Sequence, residues 1–155
     1  MGIDVYLSWD GMAEDEKKAR DSDWLELESG NLGYLRAAWW MKREVHLLCD
    51  IFPSKCWIDE SPVPVPYNFK AMTTKLERAV ESYRESVKKD ELSRGGSAAC
   101  RDLLDKAPRE SGFIDYPFDG LVLDDAEGWL KSVRDFFKLG TQKQTEGRNP
   151  KVHML

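Results

Sequence analysis

Ile3-Asp4-Val5-Tyr6-Leu7-Ser8-Trp9 alternates without a break. Ile3, Val5, Leu7 and Trp9 fall on one side and Asp4, Tyr6 and Ser8 on the other, the two-residue period of a strand with one buried face. Asp10-Gly11 supplies the turn that ends it. Ala13 to Arg20 follows as a short helix, acidic at its start (Glu14, Asp15, Glu16) and basic at its end (Lys17, Lys18, Arg20), as the helix dipole favours. Trp24 to Glu28 alternates again through Leu25 and Leu27 and predicts a second strand.

Beyond this start the chain reads mostly helical. From Leu32 to Phe52, Leu35, Ala38, Met41, Val45, Leu48 and Phe52 recur at steps of three and four, and Pro53 stops the pattern. Trp40, Leu47 and Ile51 form a second stripe on the same predicted helix, leaving Arg36, Arg43, His46 and Asp50 as a polar wedge. Two apolar stripes need two covers, a second layer of the domain or a second copy of the chain, and the expectation is a homodimer through Trp40, Leu47 and Ile51. The competing reading breaks the stretch near Lys42 into a helix and then a strand. Pro53 to Pro66 reads as a structured, extended loop or an edge strand. Asn68 caps the next helix, whose Phe69, Met72, Leu76, Ala79, Val80, Tyr83 and Val87 make one stripe opposite Glu77, Glu81, Glu85, Lys88 and Lys89. After the Gly95-Gly96 turn, Ala98 to Ala107 predicts a short helix, and Pro108 to Leu123 a loop with a last strand. Asp124, with Glu127 three residues on, reads as the cap of a final helix carrying Trp129, Leu130, Val133, Phe136 and Phe137, with Gly140 ending it.

These elements make an α+β fold with a small sheet packed against several amphipathic helices. Residues 1–140 read as a single domain and 141–155 as a flexible polar tail, because no helical face continues past Gly140. A chain of 155 residues can bury one real core. Its 28 acidic against 23 basic residues leave a net charge of −5, so no overall cationic field attracts nucleic acid or anionic lipid. The apolar neighbourhood from Ala37 to Phe52 is interrupted by Lys42, Arg43, Glu44, His46 and Asp50, which argues against a membrane span. The first residues lack an export pattern, and Cys49, Cys56 and Cys100 are odd in number and irregular in spacing. Reduced thiols in a cytoplasmic protein are the expectation.

No motif is diagnostic of a reaction or a cofactor. His46, Cys49 and Cys56 are the sole His/Cys group, but their spacing does not close a zinc site, and no metal is expected. His46 and Cys49 on one helical turn do not aim at a common reacting atom. Asp4 and Asp10 lie on or beside the first strand, where carboxylate chemistry is placed, yet Asp10-Gly11 is also ordinary turn chemistry. Gly30-Asn31-Leu32-Gly33 lacks the third glycine of a dinucleotide fingerprint and reads as the start of a helix. Tyr34 and Arg36, with Asp10 and His46, are the candidate ligand-binding residues: an aromatic wall and a guanidinium suit an anionic or planar ligand. The alternative is an arginine lying over aromatic rings.

The opening Met1-Gly-Ile-Asp-Val-Tyr-Leu-Ser-Trp-Asp-Gly-Met12, with Gly33-Tyr34-Leu35-Arg36-Ala37-Ala38, resembles a set of small uncharacterised bacterial proteins. The resemblance implies a bacterial cytoplasmic origin and no functional residues. Two functions compete. One is a non-enzymatic binding or protein-interaction module, self-associating or acting as an inhibitor or immunity-like protein by charge complementarity. The other is a small hydrolase with a carboxylate cleft, using Asp4 or Asp10 with Tyr34, Arg36 or His46.

Overall fold

The computed structural model describes residues 2–22, 29–38, 42–53, 56, 65–93 and 119–155. In chain order these form β1 (Gly2–Ser8), α1 (Glu14–Ser22), a 3₁₀ turn (Gly30–Leu32), β2 (Tyr34–Ala38), α2 (Lys42–Ile51), β3 (Val65–Pro66), α3 (Phe69–Ser93), α4 (Asp119–Thr145) and β4 (Lys151–Met154). The four strands pair antiparallel in the order β2-β1-β4-β3. The α+β class expected from the alternation of residues 3–9 is the class observed.

Strand alternation divides the sheet chemically. Val5, Leu7 and Trp9, Leu35 and Ala37, and Val152 and Met154 are all buried, and they share one core with side chains from α2, α3 and α4. The apolar stripe of α3 is the one its spacing predicts: Phe69, Leu76, Val80, Tyr83 and Val87 are buried and Glu77, Glu81, Glu85, Lys88 and Lys89 exposed. Asn68 caps this helix, its Oδ1 accepting the Ala71 N–H at 3.1 Å. Where α3 meets α4, Phe69 stands edge-on to Phe137 at 5.4 Å, and Tyr83 lies 6.0 Å from Trp129.

Four expectations are corrected. The stretch 32–52 is neither one helix nor a helix followed by a strand: it is a strand, β2, followed by a helix, α2. Leu35 and Ala37 point into the core while Tyr34 and Arg36 face the other way, and pairing with β1 in the register Gly2↔Ala38 to Tyr6↔Tyr34 overrides the helical spacing that Leu35 and Ala38 share by chance. Gly30 to Gly33 accordingly leads into a strand.

Leu47 and Ile51 were expected at an interface with a second copy. They are buried in the chain's own core, at 3% and 0% exposure, and the Ile51 carbonyl accepts the Tyr67 hydroxyl at 2.9 Å. The cover for that stripe is a second layer of the same domain; Trp40 lies outside the described residues.

The last helix begins at Asp119, so Asp124 is inside it and not its cap, and it runs through Gly140 to Thr145. Gly140 is there for space: a Cβ would come within 2.5 Å of the Phe69 ring.

Residues 141–155 are not a mobile tail. They complete α4 and form β4, an inner strand whose Val152 and Met154 are fully buried. Lys143, itself buried, sits 4.6 Å above the Trp9 ring, within 4 Å of the Glu16 and Glu146 carboxylates. A strand needs an apolar residue only at alternate positions, so Lys151-Val152-His153-Met154 shows no helical face and passes for a polar segment. The predicted strand at 24–28 and helix at 98–107 lie outside the described residues, as do Trp24, Trp39, Trp57 and Cys100.

Candidate functional site

On the face of the sheet turned away from the helical core, alternation places Asp4 and Tyr6 from β1, Tyr34 and Arg36 from β2, and His153 from β4. Register brings them together: Asp4 stands opposite Arg36, and Tyr6 opposite both Tyr34 and His153. The result is a ladder of three rings across three strands, Tyr6 to Tyr34 at 5.3 Å and Tyr6 to His153 at 5.4 Å. Cross-strand aromatic pairs of this kind stabilise a sheet locally; here the rings stand tilted or edge-on to one another, with Tyr34 fully buried and Tyr6 and His153 partly exposed.

One end of the ladder is fixed by charge. The buried Tyr34 hydroxyl donates to Asp4 Oδ1 at 2.6 Å, and Arg36 Nε lies 3.7 Å from the same oxygen, with Asp4 and Arg36 each about a quarter exposed. The side of the ladder is fixed by α1. Arg20, itself buried, lies 5.4 Å over the Tyr6 ring, donates from Nη1 to the Leu7 carbonyl at 2.8 Å and from Nε to Asp21 Oδ1 at 2.7 Å. Sheet, ring face and counter-ion therefore hold this guanidinium on three sides.

These surroundings set the protonation states. Burial, and then the hydrogen bond to Asp4 and its charge, push the Tyr34 phenol well above its ordinary 10.0. Tyr6 is also raised, by burial and then by Asp4 and Asp21. Burial, and then Arg20, hold His153 below its ordinary 6.5. Near neutral pH both phenols are therefore protonated and the imidazole neutral, so the three rings act as stacking groups, and neither phenol is an activated nucleophile. Both ring nitrogens of His153 are buried without a hydrogen-bond partner, as is the indole N–H of Trp9.

Of the four candidate ligand-binding residues, Tyr34 and Arg36 come together, around Asp4. Asp10 does not join them: it is exposed at the other end of β1, where its N–H bonds the Arg148 carbonyl at 2.8 Å and its carboxylate lies 3.6 Å from Lys151 Nζ. His46 is on α2, and its side chain is outside the description. Tyr6, Arg20 and His153 were missed. The alternation of residues 3–9 already puts Tyr6 on the side of Asp4, whereas His153 was hidden in a segment read as tail, and Arg20 in a helix read only for its dipole.

Among the described residues no group of His, Cys, Asp and Glu is placed to hold a metal; the Cys49 thiol is free and exposed, and Cys56 is buried. The Gly30 N–H donates to Ser132 Oγ at 2.7 Å, which makes this glycine a packing contact with α4. A separate cleft of about 430 Å³ opens beside Tyr67, Asn68, Gln144 and Asn149. Two of its amides are engaged in the fold: Gln144 Oε1 accepts the Lys70 N–H, and Gln144 Nε2 donates to Asn68 Oδ1. No described helix is long and apolar enough to cross a membrane. No protein-family model matches this chain, and neither the curated proteins nor the solved structures contain a match to it.

Proposed function

We propose that the protein is a non-enzymatic binding module that engages its partner through the outer face of the sheet, at Asp4, Tyr6, Arg36 and His153. The observation that carries this reading is the ring ladder: two tyrosines and a histidine are spent on the face opposite the core, held in register beside part-exposed groups of opposite charge. Flat rings beside a carboxylate and a guanidinium suit a protein surface that offers both apolar contact and charge. A bacterial cytoplasmic setting is part of the proposal, supported by the free Cys49 thiol and by the resemblance of the first residues. An inhibitor or immunity-like role would use the acidic balance of the chain against a basic partner.

Backbone NMR with a set of short peptides, acidic, basic and aromatic, tests the reading. Shifts clustered at Asp4, Tyr6, Arg36 and His153, and lost in Arg36→Ala, are the expected result; shifts confined to other surfaces refute it. Sedimentation of the same samples shows whether the partner is a second copy.

The contact of Tyr34 with Asp4 also favours a second reading, a small hydrolase with Asp4 as its carboxylate. Turnover of ester or phosphoester substrates by the wild type that disappears in Asp4→Asn would select it over binding.

A further inference from the structure

His153 is an unusual occupant of an inner strand. β4 pairs with β1 over four positions, Val5↔Met154 to Ser8↔Lys151, and His153 sits in the middle of that ladder opposite Tyr6. Both of its ring nitrogens are shielded from water and bonded to nothing. A neutral imidazole tolerates this at moderate cost, but an imidazolium carries a full charge and two N–H donors that must both be received.

The described groups around it offer little to a second cation. From β1 it meets the edge of Tyr6. From α1 it feels the Arg20 cation and, against it, the Asp21 carboxylate, which is already the acceptor for Arg20 Nε. The described residues of the neighbouring strand β3 pair with Lys151 and Val152. On β4 itself the nearest charged side chain is Lys151, which lies 3.6 Å from Asp10.

We propose that His153 is an acid-sensitive latch on β4: uptake of one proton by its imidazole opens the ladder between β4 and β1, because only by leaving its place beside Tyr6 and Arg20 does the imidazolium reach water. This goes beyond the binding reading and does not depend on it, since it concerns the attachment of a strand whatever the sheet face binds. The sign follows from linkage. A histidine held below its ordinary value binds its proton more readily in the open state, so attachment is strongest above pH 6.5 and is lost as pH falls below it.

The chain has two histidines, His46 and His153, which makes the test clean. Hydrogen exchange is followed by NMR between pH 7.5 and pH 5 at the amides of Asp4 and Leu155, which bond each other's carbonyls across this ladder. With one linked proton their protection falls by about tenfold for each pH unit below the ordinary histidine value, while Leu76 and Val80 in α3 keep theirs. His46→Gln retains the effect and His153→Phe, a neutral ring of similar shape, abolishes it. Protection that does not change with pH in the wild type, or that falls equally in a folded His153→Phe, overturns the proposal. If His153→Phe does not fold, direct titration of the wild-type His153 ring decides: a ring that protonates at or above 6.5 without change in the Asp4 and Leu155 amides also overturns it.

Discussion

Replacing Met154 with alanine separates a structural C-terminal strand from a polar tail. Met154 is fully buried and part of the shared core, whereas its neighbour Leu155 is 51% exposed. Truncating a buried methionine costs about 2–5 kcal/mol, the lost transfer energy plus the cavity left behind. The site is flanked by β1, whose Val5 lies directly opposite and is itself fully buried, so the surroundings have little freedom to collapse. A loss of about 3 kcal/mol is therefore expected, which for a domain of this size lowers the melting temperature by about 6–12 °C. In urea, with a slope of about 2 kcal/mol per molar, the midpoint falls by roughly 1.5 M. Leu155→Ala, made in parallel, should stay within about 0.5 kcal/mol of wild type, as substitutions at exposed positions do. The comparison of the two midpoints at unchanged slope is the measurement. If Met154→Ala and Leu155→Ala both leave the midpoint where it was, β4 contributes nothing to the cooperative unit and the core assignment of this segment is wrong.

Two further outcomes are expected. Gly140→Ala gains about 1 kcal/mol in helix propensity, but the new Cβ falls 2.5 Å from Phe69 Cε1 in a cluster of rings. Overpacking of about 1–3 kcal/mol should win, and a variant with a raised melting temperature would show that Phe69 yields freely. For Asp4→Asn, removing the carboxylate charge should bring the Tyr34 phenol back towards 10.0 without reaching it, because burial is the larger cause of the rise. Stability contributed by Tyr34 is present below pH 10.0 and declines as pH rises above it; ring NMR of Tyr34 is the check, and an unmoved titration would mean that Asp4 does not govern it.

How much was legible in the chain follows from how far apart the deciding contacts lie. Residues 3–9 alone announce a strand with one buried face, and the stripes of α3 and α4 are readable because burial on a helix repeats every three to four residues over many turns. Asn68 as a cap is a local matter of one side chain and the next turn. Those features needed no partner from elsewhere. The stretch 32–52 was read at the wrong period because five residues of β2 are too few to outvote a longer helical pattern, and only the register with β1 selects the strand. Gly140 looked like a stop signal, and its reason for being glycine is a phenylalanine about 70 positions away in sequence. The candidate site divides in the same way. Asp4 with Tyr6 is visible as a same-face pair two residues apart, whereas Tyr34 and Arg36 share a face only because residues 34–38 are a strand and not the expected helix. That Asp4 meets Tyr34, that Arg20 covers Tyr6, and that His153 completes the ladder are decided by strand order, which places the end of the chain beside its beginning. Sequence determines which residues prefer to be inside and at what period; pairing between distant strands determines which outside residues meet, because hydrogen-bond register is a property of two segments and is written in neither one alone.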